Sequence, residues 1–361
     1  MPKHISGFDY LRALGAILVV LWHSQGLSFL GEINSSLNSF VSIFYYNICL
    51  LAVPIFFSIS LCLFYRKQLD QSPVLAQNSF PKNRLIGLIR LYAIWLFVGI
   101  AFNLFRSEGS YLLSLSHIEN LVNIIVRGSR PELFFLFSLI VISSLSFFNS
   151  KYLLGRENSL KIQLLLTLIS SLGLMVLSYH TLATHQTAFS AFWNPVCFLP
   201  YIFSAAILAR IDEHTASGYL DKRKFQFILI LLAVFLLLSW LEWQIFHVPN
   251  AFDGYLLPPY ARASLVVGSF LICYCGIVAK TKPRGLVLVL SQESLGIYLL
   301  HNYALFMMEL IVDRVDVIPL LVMIITHPMA KVILAITLSV LISKALKRYE
   351  FGRMMLNTRS S

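Results

Sequence analysis

The sequence predicts an all-α, polytopic membrane protein of about ten transmembrane helices with both termini in the cytoplasm. Scarce charge, apolar runs of spanning length and a one-sided distribution of basic residues predict it. Of 361 residues, 58% are hydrophobic and only 12% are charged, whereas an ordinary soluble domain has about 45–50% apolar and about 25% charged residues. A soluble core of this size needs the missing charge on its surface. Disorder, collagen, coiled coil and a soluble two-domain enzyme are thereby excluded.

A membrane helix needs about 20 mostly apolar residues, and ten windows reach or approach that length. They are Phe8–Leu30, Val41–Phe64, Leu85–Phe105, Leu133–Phe148 and Ile162–His180, then Phe192–Ala209, Phe225–Phe246, Ser264–Ala279, Leu286–Ile311 and Met329–Ser343. The first is too long for a signal-peptide core, and no small-x-small cleavage site follows in Ser28-Phe29-Leu30-Gly31-Glu32, so it stays as a helix. The eighth and tenth are short and extend by a turn into their flanks. Ile318–Ile325 precedes a His327-Pro328 break and reads as re-entrant or interfacial, because joining it to the last window puts Lys331 near mid-bilayer.

Numbering the gaps alternately places most of the 28 Lys and Arg on one side. Lys3, Arg66, Lys67, Lys82, Lys151, Arg210, Lys222, Arg223, Lys224, Lys282 and Lys347 are among them. The positive-inside rule makes that side cytoplasmic. The net charge of +11 is then a topology signal and not a nucleic-acid footprint. All five cysteines fall inside windows with no CxxC, and read as small core hydrophobes. The longest non-spanning segment, Arg106–Glu132, contains an amphipathic stretch, His117–Val126, suited to the membrane surface. No repeat stands out, and residues 1–361 read as a single unit with no appended soluble domain.

An ionisable group inside a bilayer is costly unless paired or wet, and is a functional candidate by default. The candidates are Asp9, Arg12 and His23 in the first window, Arg84 and Arg90 at the third, Glu132 opening the fourth, and Glu293 and His301 in the ninth. Glu242 and Glu309 lie near outer helix ends and read as interfacial. Arg12 and His23 are eleven positions apart, about 20° beyond three full turns, so they share a helix face about 16 Å apart in depth. That offset suits an acyl-coenzyme A, with anionic phosphates at one end and a thioester at the tip of a long arm. A guanidinium at the cytoplasmic mouth holds phosphates, while a deeper histidine serves as general base. The plainer reading stands beside it: Arg12 snorkels to the interface and His23 bonds a neighbouring helix. Lys82, Arg84 and Arg90 lie near the level of Arg12; anionic lipid explains the first two well and Arg90 poorly. Glu132 and His301 lie near the depth of His23 and suit a base with its orienting partner, although His301 reads equally as a packed core histidine.

Phe8-Asp9-Tyr10-Leu11-Arg12-Ala13, followed by Val19-Val20-Leu21-Trp22-His23, resembles the opening of the membrane-bound acyltransferase 3 family. Asn83–Trp95 is similar to that family's basic third-helix start, Glu132-Leu133-Phe134-Phe135-Leu136 to its L-W-F-L stretch, and Ser294–His301 to its S-x-G-I-Y-L-x-H helix. Arg348-Tyr349-Glu350 resembles its ending. The chain departs from the pattern where Gly87 stands three before Arg90 in place of an R-x-x-R arginine. Arg84, six before Arg90, does not share its face.

The resemblance implies transfer of an acyl group, usually acetyl, from cytoplasmic acyl-coenzyme A to a hydroxyl of a cell-envelope polysaccharide or lipid-linked glycan, in the inner membrane of a bacterium. In that reading His23, Glu132 and His301 are catalytic and Arg12, Arg90 and Arg84 hold the donor. Acetyl-CoA is then a substrate rather than a resident cofactor, no metal is required, and glycan-assembly proteins are the expected partners. From another class comes a carrier or exporter of a glycan or small anion with the same charges lining its path. A third reading is a structural partner in glycan assembly. Acceptor choice is expected in Arg106–Glu132, His180–Ala191 and His247–Ala261.

Overall fold

The computed structural model describes residues 4–70, 82–106, 118–211, 222–247, 251–252, 254–279, 281–314 and 319–356. His117, Lys3, Lys280 and Arg359, with residues 107–117, 248–250 and 253 of the expected acceptor segments, lie outside the described residues. Every named element among the described residues is helical. Seven helical stretches are long and apolar enough to cross a membrane, and Pro195–Arg210 and Ala263–Val278 are shorter apolar helices. The chain is an all-α, multi-pass membrane protein.

Helix α1, Ser6–Ser24, is the axis of the molecule. After α2 (Ser28–Ile33) and α3 (Ser35–Asn47), a single turn at Cys49–Leu51 leads into α4, Ala52–Leu69. Then come α5 (Lys82–Arg106), the short amphipathic α6 (Ile118–Arg127) and α7 (Phe134–Asn149). They are followed by α8 (Ser159–Thr184), α9 (Leu199–Arg210) and α10 (Lys222–Phe246). The chain continues through α11 (Ala263–Val278), α12 (Gly285–Gln292) and α13 (Ser294–Arg314). It closes with α14 (Pro319–Thr326), α15 (Pro328–Leu346) and α16 (Glu350–Met355). Helix α1 packs against α4, α11, α12, α13 and α15. At the periphery, α8 and α10 turn Leu164, Leu168, Leu172, Leu229, Leu236 and Trp240 outward, the apolar face that lipid requires.

Proline sets several boundaries. Pro54 sits in the first turn of α4, where its missing N–H leaves no helical acceptor unpaired; the break with α3 falls just before it. Pro200 and Pro328 likewise lie in the first turns of α9 and α15.

Three expectations are corrected. The first helix does not run to Leu30. Gln25 adopts φ 52°, and backbone N–H groups return to Leu21 and Trp22, a left-handed cap that ends the helix at Ser24. The Leu286–Ile311 window is two helices meeting at Glu293, whose carboxylate accepts from Ser343 Oγ and Lys347 Nζ, each at 2.6 Å. Glu242 is not interfacial but 1% exposed. Its carboxylate accepts from Arg262 Nε and from the Ser264 N–H, both at 2.9 Å, and from the Ser264 hydroxyl. Arg262 also donates to Tyr46 O at 2.7 Å and to Asn47 Oδ1. One satisfied ion pair thus ties α3, α10 and α11 together.

Close backbone packing holds α1 in place. A Cβ added at Gly7 would lie 1.8 Å from Gly276 O on α11, so a side chain there separates the helices. At the far end of the chain, the Trp95 indole N–H on α5 donates to Met355 O of α16 at 2.7 Å.

Two outcomes follow for detergent-purified protein followed by thermal unfolding. Gly7→Ala lowers the midpoint markedly, whereas Gly173→Ala, with nothing within 4 Å of the added Cβ, does not. Arg262→Ala or Glu242→Ala strands a buried charge and costs about 3–5 kcal/mol. The double variant Glu242→Gln/Arg262→Met is less destabilised than either alanine change.

Candidate functional site

One face of α1 carries Arg12, Gly15, Val19 and His23, spaced three or four residues apart as a helical stripe requires. Two cavities lie along this stripe. The first, about 270 Å³, is lined by Arg12, Ser60, Arg84, Leu88, Leu139 and Ser294, with Phe56, Phe135 and Tyr298 forming its wall. The second, about 60 Å³, is lined by Val19, Trp22, His23, Glu132, Tyr255 and Tyr260, and again by Tyr298. Tyr298 is the shared wall.

In the larger cavity, the Arg12 guanidinium is part-exposed and donates to Asp9 at 3.2 Å. Asp9 is buried and also meets His4 Nε2 at 3.0 Å and the Ser291 hydroxyl at 3.0 Å. Arg84 approaches from α5. Its guanidinium donates to Ser60 Oγ at 3.0 Å, Ser60 O at 3.3 Å and Ser143 Oγ at 3.3 Å, over the Phe64 ring. Among the described residues no carboxylate pairs with Arg84, so its charge stays available to an anion. Arg90 is arranged differently. Six residues on from Arg84, about 120° round the helix, it is exposed and lines neither cavity.

The smaller cavity is lined by two of the residues expected at one depth, His23 and Glu132, and the third, His301, packs against His23 without lining it. The His23 and His301 rings lie 5.0 Å apart between centroids at 50°. His23 is exposed and His301 fully buried. His301 Nδ1 faces two carbonyls, Tyr298 O at 2.7 Å and Ile297 O at 3.1 Å. Carbonyls only accept, so Nδ1 carries a proton toward them. Nε2 is buried with no hydrogen-bond partner among the described residues. Glu132, at the turn into α7, is 2% exposed. It accepts from Asn302 Nδ2 at 2.8 Å, and Arg130 Nε stands 3.6 Å from its other oxygen.

The structure also shows residues that the motifs did not single out. Arg130 lies over the Phe102 and Tyr303 rings at 5.1 and 5.5 Å and balances Glu132. The adjacent Arg130-Pro131-Glu132 run was the available clue. Asn302, next to His301, fixes the Glu132 carboxylate. Tyr298, visible only as one letter of a helix motif, donates its hydroxyl to Glu132 O at 2.5 Å. Ser60 and Ser143 carry no sequence signal, because a serine in an apolar helix declares nothing about its neighbours.

Chemically, the larger cavity offers guanidinium groups to an anion. The smaller offers the His23 imidazole and the buried Glu132 carboxylate, with the His301 ring packed against His23, the parts of an assisted base.

Comparison with known proteins gives one family. No curated protein and no solved structure matches the chain. The family model described as an acyltransferase domain matches residues 5–346, nearly the whole chain, and with the membrane helices and the two-cavity stripe on the page, the protein belongs to the acyltransferase 3 family of membrane acyltransferases.

Proposed function

We propose that the protein is an O-acyltransferase that takes an acyl group, usually acetyl, from cytoplasmic acyl-coenzyme A and places it on a hydroxyl of a cell-envelope glycan across a bacterial inner membrane. In this reading the chain crosses ten times with both ends inside, and the Arg12 cavity opens to the cytoplasm. The observation that carries the reading is the stripe on α1, which lines a cationic cavity at one end and a histidine cavity at the other.

The nucleotide phosphates rest at the mouth on Arg12 and Arg84. The arm threads the larger cavity and brings the thioester carbonyl toward His23. An acceptor hydroxyl enters from the opposite side. Its oxygen attacks the carbonyl carbon and forms the C–O ester bond as the C–S bond breaks. The hydroxyl proton passes to the His23 imidazole and then to the departing thiolate, leaving coenzyme A as the free thiol. His301 sits against His23, and Glu132 with Arg130 and Asn302 fixes the surrounding charge. Trp22, Tyr255 and Tyr260 give the acceptor side aromatic faces of the kind sugars stack on.

Three measurements test this. Folded, detergent-purified protein binds coenzyme A in a calorimetric titration; absence of binding overturns the reading. His23→Ala loses about 10²–10⁴-fold in transfer while eluting as the same folded species, and wild-type turnover in that variant removes His23 from the chemistry. Arg84→Ala raises the KM for acyl-coenzyme A about tenfold or more, the loss of a charge-assisted bond of about 1.5–3 kcal/mol. Arg90→Ala leaves that KM unchanged.

A further inference from the structure

Arg12 and the base His23 line different cavities, and what stands between the two is aromatic. Phe56 of α4, Phe135 of α7 and Tyr298 of α13 meet edge to face or tilted, with ring centroids 6.2, 6.3 and 5.0 Å apart. All three line the Arg12 cavity, and Tyr298 also lines the His23 cavity. The Tyr298 ring is held by its hydroxyl on Glu132 O. On α1 the residue facing this wall is Gly15, three residues after Arg12 and eight before His23. A Cβ there would stand 3.0 Å from the Phe56 ring edge, so a larger residue narrows whatever passes.

The volumes on the two sides differ in a way that bears on the cargo. A cavity of about 150 Å³ holds benzene, six heavy atoms. By that measure the 270 Å³ cavity takes roughly ten or eleven heavy atoms, a fair length of a thin polar arm. The 60 Å³ cavity takes roughly two or three, the size of a carbonyl carrying one methyl.

We propose that Phe56, Phe135 and Tyr298, closing against Gly15, form the acyl-size filter of this transferase, passing a two-carbon acyl group and rejecting longer or branched ones. This rests on the acyltransferase reading and adds to it the residues that choose the donor. The rings act by excluded volume, so their removal changes which donor is used more than how fast the preferred one is used. Phe56 is the ring to change, because it is partly exposed while Phe135 and Tyr298 are buried.

The test supplies radiolabelled acetyl-, propionyl- or butyryl-coenzyme A to inside-out membrane vesicles of producing cells and counts label in the glycan fraction. The wild type loses about tenfold or more for each added methylene. Phe56→Leu and Phe56→Ala raise the butyryl-to-acetyl ratio about tenfold, and Gly15→Ala lowers the propionyl-to-acetyl ratio. A ratio is insensitive to how much folded protein each vesicle carries. A purely structural role for Phe56 lowers all three donors together; that result, or equal use of the three by the wild type, overturns the filter and leaves the transferase reading standing. Label from none of the donors in the wild type overturns the transferase reading, and the filter with it.

Discussion

The contact between the backbones of α1 and α11 at Gly7 and Gly276 is the constraint from which the rest of the arrangement follows. It holds the start of α1 deep in the bundle, with α4, α12, α13 and α15 around it. A helix locked at that point presents one stripe at fixed depths, because the rise per residue of an α-helix is not adjustable. Arg12 and His23 are therefore held about three turns apart whatever the side chains around them do. The larger cavity forms where α4, α5 and α7 stand off the Arg12 end, and the smaller one where α7 and α13 meet the His23 end.

Some of the buried polar groups form closed networks. Glu242 and Arg262 are fully satisfied, as are Asn149 and Gln163, which exchange hydrogen bonds at 3.2 and 3.0 Å beside the Tyr65 hydroxyl. Such closed networks lower the cost of polar atoms in an apolar medium and fix which helices are neighbours. Around His301 the pattern is open. His301 Nε2, Glu132 Oε1, Arg130 Nε and the Tyr303 hydroxyl are all buried without a hydrogen-bond partner among the described residues. Leaving such groups unmade is expensive. Glu132 of this cluster lines the cavity that holds His23, and His301 packs against the His23 ring, so open polar groups border the candidate site.

Sequence arithmetic recovers whatever depends on one helix at a time. The Arg12 and His23 stripe follows from an eleven-residue interval, and the common depth of His23, Glu132 and His301 from counting along helices of known rise. Arg84 and Arg90 on different faces follow in the same way, but not which of them meets the cavity, since that depends on where α4 and α7 stand. Glu242 looked interfacial because its depth was legible and its partner, Arg262 on the next helix, was not. Glu293 was legible as a charge inside an apolar window but its partners were not: Ser343 and Lys347, fifty and more residues away, take its carboxylate and mark the joint between α12 and α13. Periodicity measures position along an axis, while burial and pairing belong to the packing between axes.

The hydrogen bond from Trp95 to the Met355 carbonyl has a consequence for the order of assembly. Trp95 belongs to α5, the helix that brings Arg84, Leu88 and Leu91 to the larger cavity, and α5 is synthesised long before residue 355 emerges from the ribosome. Until α16 arrives, the buried indole N–H lacks its acceptor, and α15, which packs on α1 and α13, is also still missing. The earliest and latest segments of the chain thus close on each other. The helix that carries Arg84 gains its last buried hydrogen-bond partner from the final helix of the described chain.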